Sequence, residues 1–403
     1  MILTRNLIAV VFLPALVSSL DMSRIVRIKE SVWRSAAAQH CTRIRELLQP
    51  GLTDLSDPIN AGLLRMQKDQ HHGWTALDAK NPVYNFLIEY YGLKGAKGPR
   101  RLARWSPSIT PLLENPEQEG ILLQGASEQD LGGVLHMRGA IPTDDGIIYS
   151  PGNFFGKGDP ERRDEAAKSA TPYLWYRSVL SQTLSADPIL HCHGLHEWAM
   201  QYQPEGAPPP PSGKYQAHLQ LRVDRETISK TVERKGIHCT HVDALRFFAP
   251  DAGPLNHHGA TLQRTDQLRL EQPACVHAQM DLLKIVLRLQ PFCDADLIPR
   301  ILQIALEARR LDVAASPYDA TLYGVGVVPV ETKEGRALYR KEQTALMERA
   351  EPIRQELLRA YDAFLAVAFD DEALVAGTKS PSSERFAKAE PGGKPWRQNL
   401  IAR

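Results

Sequence analysis

The feature that most limits how this chain can fold is a crowding of polar, metal-binding side chains into less than a quarter of its length. Nine of the thirteen histidines and three of the five cysteines lie between His191 and His277. Such groups are costly to bury unless they are paired or ligated. The fold must therefore gather them into one site or give each its own partners. They form three clumps: His191-Cys192-His193 with His196-Glu197, then His238-Cys239-Thr240-His241-Val242-Asp243, then Cys275-Val276-His277 with Asp281.

The composition is that of a globular protein. The 403 residues are 43% hydrophobic and 24% charged, which is enough apolar content for a real core. The net charge is +1, so the whole molecule has no strong attraction for nucleic acid or for an anionic membrane. The five cysteines show no disulfide spacing, and we expect them to be reduced thiols.

The two ends of the chain differ from the rest. Residues 1–20 combine one positive charge, Arg5, with an apolar run, which is the layout of a signal peptide for secretory or plastid routing. The alternatives are a frayed hydrophobic N terminus, or a start codon assigned too early, on a cytoplasmic or nuclear protein. We expect no transmembrane segment in the mature chain. Residues 377–403 are predicted to be a disordered basic tail. The net charge from residue 379 onward is +4.

Apolar periodicity predicts a mainly α protein with a minor β component, built as one large helical domain over residues 24–376. Short strands are expected at 121–124, 132–137 and 146–150. A Pro-rich linker is expected near 204–213. Helices are predicted at 24–49, 83–91, 159–184, 225–236, 275–290, 294–315 and 332–369, with Asp224 capping the fourth.

One basic stretch within the folded part stands apart from the histidine clumps. Residues 92–104 contain five positive charges and no acid, including Arg101 and Arg104, and are the best candidate for binding phosphate. The alternative is a solvated loop.

No zinc-finger spacing, His-Glu-x-x-His motif, P-loop, G-x-G-x-x-G or G-x-S-x-G motif is present, so an α/β-hydrolase is not expected.

Histidine and carboxylate side chains in the clumps suggest a metal site. His277 and Asp281 are four residues apart on a predicted helix and share a face. His241 and Asp243 share a face only if their backbone is extended. The ligand types favour zinc or iron. The predicted ligands are His196, His241, Asp243 and His277, with Asp281 as second choice.

Longer blocks of sequence resemble a known family. The blocks are Gly194-Leu195-His196-Glu197-Trp198-Ala199-Met200, the run from Cys239 to Phe248, the run from Glu271 to His277, and Ala315-Ser316-Pro317-Tyr318-Asp319. They resemble bacterial, algal and plant proteins called 3-methyladenine DNA glycosylase, over about residues 75 to 360. The only approach to the helix-hairpin-helix signature of other alkyl-base glycosylases is Leu322-Tyr323-Gly324-Val325-Gly326, and no suitably spaced Asp follows it.

The resemblance implies an N-glycosidic hydrolase that releases damaged or modified purines, free or in nucleic acid. Such chemistry needs a carboxylate beside the sugar and an aromatic slot for the base. The expected catalytic residues are Asp243 or Glu197, with His241. Trp198 and Phe247 would form the slot, and Arg246, Arg101 and Arg104 would bind the substrate. A third interpretation is a non-enzymatic helical binding protein, in which the clumps are polar networks of the core.

Overall fold

A computed structural model of the protein describes residues 20–49, 73–208 and 218–378. The signal-like segment at 1–19, residues 209–213 of the Pro-rich stretch and the tail from residue 379 lie outside these ranges. The predictions made for those segments therefore stay predictions. The last described helix ends at Thr378, so it includes two residues that we assigned to the tail.

Helices account for most of the described residues, as expected for a mainly α protein. They are α1 Glu30–Leu48, α2 Asn85–Tyr91, α3 Lys97–Leu102, α4 Thr110–Glu114, α5 Pro151–Phe155, α6 Arg163–Ser185, α7 Leu195–Ala199, α8 Arg225–Glu233, α9 Gln267–Leu270, α10 Val276–Leu289, α11 Leu297–Ala314, α12 Lys333–Ala368 and α13 Asp371–Thr378. Single 3₁₀ turns occur at Met22–Arg24, Glu128–Asp130, Pro160–Arg162, Leu245–Phe247, Pro250–Leu255, Arg264–Asp266 and Thr321–Tyr323.

The minor β component is a four-stranded sheet formed by β1 Ile25–Ile28, β2 Gly120–Gln124, β3 Ala140–Thr143 and β4 Gly146–Tyr149. The strand order is β1-β2-β4-β3. β1 runs parallel to β2 in the register Ile25 to Gly120, and the other two pairs are antiparallel. β2 is apolar on both faces: Ile121 and Leu123 face the main core, whereas Leu122 packs in a smaller cluster on the opposite side. Such continuous burial explains its unbroken apolar run.

The long helices pack together to form the main core. α10 packs along α11, and both contact α12, while α6 packs between α12 and α13. A cluster of aromatic rings packs within this core: Phe155, Tyr173, Phe292, Phe364 and Phe369. Packed aromatic pairs of this kind contribute beyond the area that they bury. The bundle gives the clumped residues a rigid support.

The capping and periodicity signals locate the longest helices closely. The Asp224 side chain accepts a hydrogen bond from the Thr227 backbone N at 2.7 Å and so caps α8, as predicted. The Thr332 hydroxyl caps α12 in the same way through Gly335 N, at 2.9 Å. α10 and α11 lie within one to three residues of their predicted bounds.

Three local predictions are wrong. Residues 25–28 form β1 and not the first turn of a helix, because Ile25 and its neighbours pair with β2. Residues 132–137 form a turn with isolated bridges, since Gly132 adopts a left-handed backbone at φ 74°. The helix expected from residue 83 begins at Asn85, because the Asn81 side chain accepts a hydrogen bond from Val83 N and forms a turn.

Among the described residues, no helix is both long enough and apolar enough to cross a bilayer.

Candidate active site

A cavity of about 660 Å³ lies where the three clumps of the sequence meet. This is the size of a pocket for one small molecule. Its wall combines charged, polar and aromatic side chains from α2, α3, α7, α10 and α11 and from the loops at 136–139 and 241–247. The lining residues include Glu89, Tyr90, Arg101, Arg104, His136, Arg138, His196, Glu197, His241, Asp243, Phe247, His277, Asp281, Lys284, Arg288 and Arg309.

The first clump enters the site through a tight turn. His193 and Gly194 are consecutive left-handed residues, with φ of 49° and 68°. Left-handed backbone is unusual for a residue other than glycine and marks a constrained position. The turn leads directly into the short helix α7, and it places His196 and Glu197 in the core with about 5% and 3% of their surfaces exposed.

The second clump reaches the cavity on an irregular segment. Asn256 holds its start: the Asn256 side chain accepts from Cys239 N at 2.9 Å and donates to Cys239 O at 3.2 Å. The chain then passes through a turn at Val242 and Asp243 before the 3₁₀ turn that begins at Leu245. His241 and Asp243 both line the cavity. Two residues this close in sequence can face the same way here because the backbone between them is not helical.

The third clump lies on α10. His277, Asp281, Lys284 and Arg288 are spaced by four, three and four residues, so they share one face of the helix. All four line the cavity. The residues on the opposite faces, such as Leu282, Leu283 and Val286, are buried in the main core. The helix is therefore amphipathic, but its polar face lines an internal cavity and not the protein surface.

The first trio of candidate ligands consists of His196, His277 and Asp312, whose ligand atoms lie within 4.8 Å of one another. His196 Nε2 lies 2.7 Å from Asp312 Oδ1, but the approach lacks the alignment of a hydrogen bond. The His196 and His277 ring centroids are 4.3 Å apart. Two imidazoles and one carboxylate are the ligand set of many zinc and non-haem iron sites.

The second trio consists of His241, Asp243 and Asp281, and it meets the same 4.8 Å limit. Asp281 also forms an ion pair with Lys284. His241 is buried, and its Nδ1 makes no hydrogen bond to any described residue; the nearest carboxylate oxygen, Glu271 Oε1, is 3.8 Å away. Buried polar atoms are nearly always hydrogen-bonded, so an exception of this kind calls for an explanation.

A buried arginine ties the first trio to α7. Arg309 donates to Glu197 Oε1 at 2.8 Å and to Pro82 O at 3.0 Å, and it pairs with Asp312 one turn along α11. Burial alone would lower the pKa of Arg309, but the two carboxylates outweigh it and raise the pKa. The guanidinium is therefore a fixed positive charge beneath the site.

Burial and neighbouring charges shift the pKa values of all three residues in the first trio. Burial would raise the pKa of Asp312, but the charges of His196 and Arg309 outweigh it and hold the pKa below its ordinary value. Burial would lower the pKa of His196, and Asp312 reverses this, so the pKa rises. Burial and the two neighbouring imidazoles hold the pKa of His277 well below its ordinary range. A neutral imidazole beside carboxylates is the state in which histidine binds a metal.

The structure brings together most of the residues predicted for the site. His196, His241, Asp243, His277, Asp281 and Glu197 line the cavity, as do Phe247, Arg101 and Arg104. Trp198 does not: it is fully buried in the core, where its Nε1 donates to Ala315 O at 2.7 Å. Arg246 is exposed and stacks over the Phe247 ring.

Other members of the clumps lie away from the cavity. His191 packs against His238, and His193 packs against Tyr339. Cys239 and Cys275 are free, buried thiols; burial raises the pKa of Cys239 to about 12 and the pKa of Cys275 well above its ordinary value. Since thiolates bind metals and neutral thiols do not, these cysteines act as small core residues. All five cysteines are free, as predicted.

Four residues of the site were not predicted from the sequence: Asp312, Arg138, Arg288 and His136. The signal for Arg288 was present, because it continues the spacing of His277 and Asp281 along α10. Asp312 pairs with Arg309 on a face of α11 that is otherwise apolar, and such a buried charged pair suggests a site. Nothing local in the sequence distinguishes Arg138 or His136 from surface loop residues.

Comparison with protein-family models, with curated proteins and with solved structures finds no match to this chain.

Proposed function

We propose that this protein is a metal-dependent hydrolase that binds one small substrate in the cavity. The observation that carries the proposal is the convergence of the two trios. Five of their six side chains line the same cavity, and they come from three distant parts of the chain. Polar side chains of this kind are expensive to bury together without a ligand to bind.

The ligand types favour zinc or iron. The first trio is rich in imidazole, and the second is rich in carboxylate, so together they suit borderline divalent ions. A divalent ion bound by few protein ligands lowers the pKa of a bound water and turns it into a nucleophile at neutral pH. Glu197, held by Arg309 beside the first trio, is the nearby carboxylate that would orient such a water.

Metal analysis of the full chain tests the proposal. The protein should be purified on a tag that does not bind metal, since His238 stacks on His257 at the surface and histidines there could collect nickel. We expect zinc or iron at about two equivalents per chain, one for each trio. The variants H277Q and D243N should lose metal, whereas H218Q, at an exposed histidine outside the cavity, should not. Wild-type protein with less than about 0.1 equivalent of any transition metal would exclude the proposal.

The second candidate function is hydrolysis of an N-glycosidic bond, which the family resemblance implies. The observation that favours it is a pair of rings in the cavity wall that also includes Asp243: Tyr90 and Phe247 both line the cavity, with centroids 6.2 Å apart. Aromatic walls next to a carboxylate suit a purine base and its sugar. Phe247 is the predicted slot residue that lines the cavity, and Tyr90 would supply the second ring in place of Trp198.

Base release from purine nucleosides and from alkylated DNA tests this second candidate. We expect activity in the wild type, loss in D243N and retention in D187N, which removes an exposed acid outside the cavity. If neither substrate releases base, the N-glycosidic assignment fails while the metal-dependent one is judged on its own analysis. If D243N lowers only stability, and neither metal nor hydrolysis is found, the protein is a binding protein with a polar core.

A further inference from the structure

The cavity has two chemically different ends, and α10 connects them. His277 lies in the first turn of α10 and Arg288 in the last. At a rise of 1.5 Å per residue, their backbones are about 16 Å apart along the helix axis. The two trio residues on α10, His277 and Asp281, therefore lie in its N-terminal half. The far end of the cavity is surrounded by basic residues.

Four arginines line that far end: Arg101, Arg104, Arg138 and Arg288, which we call the arginine group. Each is half-buried. None forms a salt bridge with an acidic side chain within the part of the chain that the structure describes. The positive charge is therefore gathered without protein carboxylates to neutralise it.

Backbone carbonyls hold two of these side chains in place. Arg104 Nε donates to Gly132 O at 3.0 Å. Arg138 donates to Arg288 O at 3.2 Å and to Gln290 O at 3.3 Å, and it also contacts the Tyr173 hydroxyl. A guanidinium has five N–H donors in a planar fork, so these bonds orient each group and leave donors over. Preorganised donors of this kind suit a polyatomic anion.

The neighbouring histidine adds a polar atom and no charge. Burial and the charges of Arg104 and Arg138 lower the pKa of His136 to about 3. Arg101 and Arg104 are themselves half-buried, and this partial removal from water lowers the pKa of both. Of the acids that line the cavity, Asp243 and Asp281 belong to the second trio, Glu197 pairs with Arg309, and Glu89 is exposed on α2.

We propose that the arginine group binds the phosphate of a small phosphorylated substrate, whose reacting bond lies at the two trios. A carboxylate would neutralise one of the four cations, whereas a phosphate monoester brings about two charges and three acceptor oxygens. The cavity of about 660 Å³ takes one small molecule and has no room for a duplex. The aromatic rings of Tyr90 and Phe247 would lie beside the middle of the substrate.

The inference rests on the proposed function for its reacting end, but the phosphate end can be tested separately. The probe is phenyl phosphate, titrated calorimetrically into the full chain at constant ionic strength. A chelator is present throughout, so that anion binding to a metal does not contribute. Benzoate and benzyl alcohol are the matched probes with a carboxylate and with no charge.

The variants are R101Q, the double variant R101Q/R104Q and the control R359Q. Arg101 makes no hydrogen bond to any described residue, so its loss should leave the fold unchanged. Arg359 is exposed on α12, away from the cavity. We expect phenyl phosphate to bind more tightly than benzoate. We also expect at least about a tenfold loss of affinity in R101Q, a larger loss in the double variant and none in R359Q.

Three outcomes would overturn the inference. The first is that phenyl phosphate does not bind. The second is that benzoate binds as tightly as phenyl phosphate. The third is that a single-stranded oligonucleotide binds more tightly than phenyl phosphate and depends on Arg101 in the same way. Metal content of the same preparations, measured before the chelator is added, separates the two proposals. Metal bound without phosphate binding refutes this inference alone, and phosphate binding without metal refutes the metal-dependent hydrolase alone.

Discussion

His241 stacks face to face on His277, with ring centroids 4.7 Å apart and planes 8° from parallel. The two rings belong to different trios, so this contact joins the two candidate metal sites. His277 in turn meets His196 in an inclined contact. The three imidazoles form a continuous row from the buried Asp312 to the cavity, and each trio retains at least one carboxylate of its own.

This arrangement predicts the metal stoichiometry. Two trios, each with separate carboxylates, should bind two divalent ions per chain. H277Q removes a ligand from the first trio, and D243N removes one from the second, so each variant should bind one ion. The double variant should bind none. These two positions are partly exposed to the cavity, and their substitution should not unfold the protein.

Metal-dependent stabilisation measures the same property. An ion at about a hundred times its Kd should stabilise the wild type by about 2.7 kcal/mol per site. Thermal denaturation with and without added zinc measures this stabilisation, and metal analysis measures the number of bound ions. Equal metal content in wild type and D243N would contradict the role of the second trio.

The buried charges of the first trio predict a large loss of stability on substitution. D312N leaves Arg309 with one carboxylate, Glu197, and leaves His196 with none. Breaking a buried ion pair from one side costs roughly 3 kcal/mol of the free energy of unfolding. Urea denaturation at neutral pH in chelator measures this.

A matched control is D362N, which breaks the exposed pair with Arg177. We expect that variant to lose less than about 1 kcal/mol. Equal losses in the two variants would show that Asp312 carries no special weight.

His136 predicts the acid sensitivity of the fold. Because its pKa in the folded protein is about 3, against an ordinary 6.5, the unfolded chain binds a proton there and the folded protein does not. Stability from this group is therefore complete above pH 6.5 and declines as the pH falls towards 3. H136N should reduce the slope of unfolding free energy against pH by up to about 1.4 kcal/mol per pH unit between pH 4 and 6.

The measurement is a series of urea denaturation curves across that pH range. H218Q, at an exposed histidine, serves as the control and should keep the wild-type slope. An unchanged slope in H136N would mean that His136 is protonated in the folded protein, and that the arginine group is less shielded from water than the structure indicates.

Trp198 should behave as a core residue. W198F removes the donor to Ala315 O and part of a fully buried ring, which should cost roughly 2 kcal/mol of the free energy of unfolding. W33F is a matched control, since Trp33 is equally buried and donates to Gln124 O at 3.0 Å far along the chain. The two variants should lose similar stability and keep wild-type affinity for phenyl phosphate. A loss of phenyl phosphate affinity in W198F and not in W33F would mean that Trp198 belongs to the binding site.

Local signals in the sequence determined the helices and the polar face of α10. Periodicity and capping depend on neighbours within four residues, so Asp224, Thr332 and the spacing of His277 to Asp281 were sufficient. The same signals failed at β1, where pairing with a strand some 95 residues away decides the backbone, and at 132–137, where a left-handed glycine breaks an apolar run.

The composition of the site was decided by the tertiary structure. His241 and His277 were candidates from the sequence, but their stacking, the addition of Asp312, and the burial of Trp198 away from the cavity arise from how α7, α10 and α11 pack. The arginine group is assembled in the same way from three separate segments. Residue type limits which chemistry a side chain can perform, whereas its partners are set by contacts between segments that are distant in the chain, and no local pattern encodes these.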